Sequence, residues 1–212
     1  MRKVKAFQVA EHPQFRWFWD DVESGKWEPH TFEVLDKYLG LDTTYLDLGA
    51  WIGPTVLHAS TLCGRCLAVE PDPEAFTWLC ENTKGTRIET HRLAISDHNG
   101  VEMLGSEELG NSMTRLSATA NRIEVPCQTL TSFCAKTKIS GPLFIKIDVE
   151  GSEEAILRDF AFFVVHRPTV YLSLHHQWFL DPATAMKTIN RVGDLYKTRT
   201  RVEHNSLLFT DL

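Results

Sequence analysis

No apolar run in this chain of 212 residues approaches the roughly 18 residues that a membrane-spanning helix needs. Basic charge is also in short supply. Lys and Arg number 22 against 28 Asp and Glu, the formal net charge is −6, and no basic cluster exceeds a few residues. A protein that grips phosphate backbones carries a basic stripe, so neither nucleic acid nor membrane is expected among the partners. Met1-Arg2-Lys3-Val4-Lys5 is positively charged but has no apolar stretch behind it, which argues against a secretory signal. Cysteine is sparse and odd in number: Cys63, Cys66, Cys80, Cys127 and Cys134. Such a set reads as reduced thiols in a cytoplasmic protein. Cys63-Gly64-Arg65-Cys66 has the C-x-x-C form but lacks the second pair of a zinc site. No repeat or low-complexity tract appears. With 43% hydrophobic and 24% charged residues, what is left is a globular chain expected to form one domain, 1–212.

Strand-like and helix-like segments alternate with short connections, the pattern of a doubly wound α/β sheet. Strands are expected at about 44–48, 66–70, 88–95, 143–148 and 169–175, and a closing antiparallel hairpin at 197–203 and 206–210. The run Leu143-Phe144-Ile145-Lys146-Ile147 is apolar enough for burial on both faces, as in parallel sheets. Asp72-Pro73 reads as an N-cap followed by the first helical position. Helices are expected at about 54–63 and 182–192, and a further one from Glu153 with Ile156, Leu157 and Phe160 facing inward. Residues 101–128 are expected to form an inserted hairpin or loop. Residues 1–43 form a helical region carrying Phe15, Trp17, Phe18, Trp19 and Trp27, expected to pack on the sheet edge or to cover a site as a lid.

The most informative stretch is Tyr45-Leu46-Asp47-Leu48-Gly49-Ala50-Trp51-Ile52-Gly53-Pro54. A strand, a glycine-bearing turn and a helix start aim backbone N–H groups at a small molecule, and glycines let the backbone approach it. A dinucleotide fingerprint needs its second glycine at position 51, which is tryptophan. Asp-x-Gly-x-x-x-Gly instead resembles the first motif of class I S-adenosylmethionine-dependent methyltransferases. Ligands of open α/β sheets lie beyond the carboxyl ends of the strands, where Asp47, Glu70, Asp97 and Asp148 fall. Converging carboxylates suit a ligand with an ammonium, a sulfonium, a ribose diol and an adenine amine. On that reading Glu70 serves the ribose, with Pro71 and Asp72 beside it. Asp97, Ala94 and Ser96 serve the adenine, and Asp47 lies near the methionine portion.

Together with these segments, Lys146-Ile147-Asp148-Val149-Glu150-Gly151 resembles the FkbM-type methyltransferase family, from about Trp27 to His176. The resemblance implies a Rossmann-like class I methyltransferase fold. Its sheet would be mostly parallel and seven-stranded, with helices on both faces and an antiparallel C-terminal hairpin. It implies S-adenosyl-L-methionine as cofactor and methyl transfer to an oxygen or nitrogen, oxygen foremost, of a small-molecule, glycan or peptide acceptor. Asp47, Gly49, Ala50, Gly53 and Glu70 map to cofactor positions; Asp148 and Glu150 map to where donor meets acceptor. Trp51 departs from the family, which more often has asparagine there, and its indole is expected to pack over the cofactor. Trp27 and Thr31 are expected to close over the methionine end.

A hydroxyl acceptor must lose a proton, and a positioned base contributes about 10²–10⁴-fold. The candidates are Asp148, Glu150, His175 and His176. Adjacent histidines on a strand face opposite sides, so one of them is expected to look into the crevice. Asp148, Glu150 and a histidine lack obligatory ligand spacing, and no metal is expected. Asn111 and Ser112, in the insert, are candidates for acceptor recognition. Two rivals remain: an NAD-dependent oxidoreductase on the same architecture, and a catalytically inactive S-adenosylmethionine-binding module.

Overall fold

The computed structural model describes residues 1–105, 116 and 121–212. The chain opens with a short antiparallel hairpin, β1 (Arg2–Val4) and β2 (Phe7–Val9), which the sequence pattern does not announce. Helices α1 (Arg16–Ser24) and α2 (Pro29–Tyr38) follow. Phe18, Trp19 and Val22 bury the inner face of α1, while Trp17 stays 64% exposed. Next come β3 (Thr44–Leu48), α3 (Pro54–Ala59), β4 (Arg65–Val69), α4 (Pro73–Thr83), β5 (Glu89–His91) and β6 (Ala94–Ile95). The Asp72 carboxylate accepts from the N–H groups of Glu74 and Ala75 and so caps α4, with Pro73 at the position that has no N–H to offer.

The second half contains β7 (Gly100–Leu104), β8 (Ile123–Gln128), α5 (Leu130–Thr137), β9 (Leu143–Ile147), α6 (Glu153–Leu157) and α7 (Phe160–His166). It closes with β10 (Thr169–Ser173), α8 (Pro182–Gly193), β11 (Thr198–Glu203) and β12 (Ser206–Thr210). Seven strands form one sheet in the order β11-β12-β10-β9-β3-β4-β5. The pairings from β10 through β5 are parallel, and β12 runs antiparallel to both β10 and β11. This is the mostly parallel sheet with a C-terminal antiparallel hairpin that the resemblance implies. Strands β3 and β9, at its centre, are buried along their whole length.

Two expectations are corrected. The single strand expected over 88–95 splits: β5 pairs with β4 at the sheet edge, and β6 departs to pair with β8 in a separate three-stranded sheet, β6-β8-β7. The helix expected to run from Glu153 through Phe160 breaks at Asp159, whose carboxylate accepts from the Thr131 N–H and hydroxyl. All five cysteines are free thiols, and the Sγ atoms of Cys63 and Cys66 lie 3.1 Å apart in a hydrogen bond. Among the described residues, no helix is long and apolar enough to cross a membrane.

Candidate active site

The turn after β3 is set by close backbone approach. Gly49 has φ 81°, and a Cβ there would lie 1.8 Å from the carbonyl oxygen of Asp148. Its missing side chain therefore makes room for the chain leaving β9, where the sequence suggests room for a ligand. Gly53, at φ 95°, is similarly crowded by Leu79. Between them Trp51 adopts φ 48°, a left-handed conformation in which asparagine is several-fold enriched. That accounts for asparagine being at home here. The indole meets Phe18 edge-on at 4.6 Å and Phe15 at 5.9 Å, so it binds the turn to the N-terminal region.

A cavity of about 200 Å³ opens over this turn at the carboxyl ends of β3 and β9. Of the residues singled out from sequence, Trp27, Gly49, Ala50, Trp51, Asp148, Glu150 and His175 line it. Trp17, Phe18, Glu28, Thr55 and Lys146 line it as well. The aromatic stretch thus contributes cavity wall in addition to packing.

Charge in the cavity is organised by Lys146. Its ammonium is buried, donates to Asp148 Oδ2 at 2.8 Å and lies 3.6 Å from Asp47 Oδ1. Burial alone would favour its neutral form, but Asp148, Asp47 and Glu28 keep it protonated. The same contact, with His175, holds Asp148 below the usual carboxylate range despite its burial. Asp47 itself is fully buried and accepts from the Thr55 hydroxyl. It anchors Lys146 and the start of α3 and does not face the cavity. Burial, followed by the Asp148 charge, lifts Glu28 to about 7.

His175 follows the end of β10 and enters the cavity, whereas His176 lies on the next turn against Phe179 and does not. Burial would lower the His175 pKa. The hydrogen bond to Glu153 and the charges of Asp148, Glu153 and Glu150 outweigh it and raise it to about 9. The surrounding carboxylates thus favour the protonated ring. Glu153, at the start of α6, is fully buried and accepts from His175 Nδ1 at 2.6 Å.

The remaining sequence candidates lie outside this cavity. Glu70 sits behind the turn, accepting from the N–H groups of Trp51 and Asp72 at 2.8 and 2.9 Å, and burial lifts it to about 7. Thr31 is buried, donating to Glu28 and sharing a hydrogen bond with Tyr171. Asp72 is spent as a helix cap, with Pro71 next to it. Ser96 and Asp97 line a second cavity of about 290 Å³ with Arg158, since β6 carries them to the small sheet. There Ser96 donates to Glu102, and Asp97 pairs with Arg158 at 2.7 Å. Ala94 is buried against β8. Asn111 and Ser112 lie outside the described residues. Glu28 and Glu153 escaped sequence reading because each needs a partner distant in the chain; a carboxylate between Trp27 and the Pro29 that starts α2, and a Glu in an otherwise apolar helix face, are the signals available.

No curated protein matches the chain. Among solved structures, it resembles the methyltransferase FkbM from Methylobacillus flagellatus KT, with a TM-score of 0.51 at 15% identity over 91% of this chain. This chain spans 60% of that protein's length. The METTL16 methyltransferase domain gives 0.51 at 15% identity, covering 87% of this chain and 66% of that one. Precorrin 8w decarboxylase from Methanobacterium thermoautotrophicum gives 0.50 at 12%, covering each chain fully. At these identities the likeness speaks for a shared fold, that of class I methyltransferases. The sequence profile of the methyltransferase FkbM domain, however, matches residues 47–196, from the buried Asp47 past His175 and through α8. The chain belongs to the FkbM methyltransferase family.

Proposed function

We propose that this protein transfers a methyl group from S-adenosylmethionine to an oxygen of a small-molecule, glycan or peptide acceptor. The observation that carries the reading is the cavity over the Gly49 turn, where aromatic walls from Trp17, Phe18, Trp27 and Trp51 meet the carboxylates of Glu28, Asp148 and Glu150. Aromatic faces suit a sulfonium, so the cavity wall fits the cofactor, and the carboxylates are left to the acceptor side. When bound, S-adenosylmethionine supplies an electrophilic methyl for in-line displacement by the acceptor. The chain's part is alignment and proton handling. The Gly49–Ala50 turn would hold the methionine end, and Glu70, fixed behind it by the Trp51 and Asp72 N–H groups, would serve the ribose hydroxyls. Ser96 and Asp97, already engaged in the second cavity, take no part in this assignment.

Glu28 accepts the acceptor's proton. It faces the cavity, and a pKa of about 7 lets it accept a proton at neutral pH and release it afterwards. Lys146 keeps Asp148 ionised and oriented at the same time. Calorimetric titration with S-adenosylhomocysteine, with NAD as control, tests the cofactor class. Micromolar binding of the former alone, weakened by Glu70→Ala, is expected; binding of NAD alone would overturn the reading. Glu28→Gln is expected to lower kcat about 10²-fold or more while leaving S-adenosylhomocysteine affinity within about threefold.

A further inference from the structure

We infer that Asp148, Glu150 and His175 form a binding site for a first-row divalent cation of the manganese, iron and zinc class. One donor atom from each lies within 4.8 Å of the other two. His175 Nε2 is 3.5 Å from Asp148 Oδ1 and 3.4 Å from Glu150 Oε1. These separations are long for hydrogen bonds. They match the edges of a coordination polyhedron: ligands about 2.0–2.2 Å from a metal and about 90–110° apart stand about 3.0–3.5 Å from each other.

An independent feature outside the three donors points the same way. Glu153 is fully buried, its Oε1 holds His175 Nδ1 at 2.6 Å, and its Oε2 has no hydrogen-bond partner among the described residues. Burying a carboxylate with an oxygen unpaired is costly; besides the Gly151 N–H, which donates to Oε1 at 3.1 Å, the side chain it serves is His175. Fixing Nδ1 on a carboxylate turns Nε2 toward Asp148 and Glu150, the arrangement by which proteins orient metal-binding imidazoles. Lys146 holds Oδ2 of Asp148 at 2.8 Å and leaves Oδ1 toward the other donors. Two carboxylates and an imidazole select manganese, iron or zinc over magnesium, which prefers an all-oxygen environment. Asp148 and Glu150 alternate along one loop and His175 follows the next strand, so the set forms in space without the ligand spacing that the sequence analysis looked for.

A cation here borders the cavity that receives the acceptor, where it would bind a hydroxyl oxygen and lower its pKa. That role rests on the methyltransferase reading; cation binding does not. The test is titration of chelator-treated, dialysed full-length protein with MnCl2, following the free Mn²⁺ spectrum by electron paramagnetic resonance, and with ZnCl2 by calorimetry. One cation per chain is expected. His175→Ala and Glu150→Gln should each weaken binding at least tenfold, and Glu153→Gln by 10–100-fold through loss of ring orientation. Asp97→Asn, in the second cavity, should leave it unchanged. Circular dichroism of each variant separates loss of the site from loss of the fold. Absence of stoichiometric uptake by the folded protein at millimolar cation would overturn the inference, as would uptake indifferent to His175→Ala and Glu150→Gln. S-adenosylhomocysteine is titrated into the metal-free protein in parallel. Cation uptake without nucleoside binding would sink the cofactor reading and leave the cation site standing.

Discussion

The two faces of the seven-stranded sheet come from the same central strands and carry opposite chemistry. On one face Leu46, Leu48, Leu67, Val69, Ile145, Ile147, Val170 and Leu172 join a single aliphatic core. On the other, the alternate residues are Tyr45, Asp47, Phe144, Lys146 and Tyr171, all buried. Side chains alternate along a strand, so β3 and β9 each place a charged residue among apolar neighbours without disturbing the aliphatic side. Register completes the arrangement by setting Asp47 beside Lys146 on adjacent parallel strands. The aliphatic face stabilises by burial alone, at about 25 cal/mol per Å² of apolar surface. The polar face carries a desolvated ion pair, worth little net stability but ruinous to split. One face makes the sheet stable; the other makes it specific about what lies at its carboxyl edge.

Lys146→Met strikes the charged face at its centre. It leaves buried Asp47 and half-buried Asp148 without their ammonium, and a loss of about 3–5 kcal/mol in denaturant unfolding is expected, with part of it recovered in the Asp47→Asn, Lys146→Met double variant. If Lys146→Met were as mild as an aliphatic change, the two faces would not differ as described.

Acidity gives the next largest effect. Burial raises the Glu70 carboxyl from 4.5 to about 7. Between those values the folded chain holds a proton that the unfolded chain has released, so stability falls as pH rises through that window. Glu70→Gln should flatten this slope, by about 3 kcal/mol in total, in unfolding curves measured from pH 4 to 8. On the aliphatic face, Ile145→Val should cost about 0.5–1.5 kcal/mol and leave S-adenosylhomocysteine affinity unchanged. Smallest of all, Arg158→Ala removes exposed pairs to Glu154 and Asp97, and a change within about 1 kcal/mol is expected.

Sequence legibility followed the same division. Strands whose apolar runs fix both faces, such as Leu143–Ile147, were readable, as were caps such as Asp72-Pro73 and the terminal hairpin. The split between β5 and β6 was not, because a change of sheet across the two residues Arg92 and Leu93 leaves no mark in hydrophobicity. Motif reading found Gly49, Asp148 and Glu150, and it found His175 together with His176. Which histidine enters the cavity depends on β10 ending at Ser173 and on Glu153 waiting to hold the ring. Glu28 acquires its chemistry from Asp148, Lys146 and Thr31, contacts that form only once α2 packs at the carboxyl end of the sheet.

The passage of the Asp148 carbonyl across the bare Cα of Gly49 has a mechanical meaning. Main chain is pressed on main chain there, with no rotatable side chain in between to absorb a displacement. The turn after β3 and the acidic loop after β9 are thereby clamped as one block. On the methyltransferase reading, the separation between donor and acceptor halves is then a dimension of the scaffold, fixed before either ligand arrives, and the orientational entropy of their encounter is already lost when the chain folds.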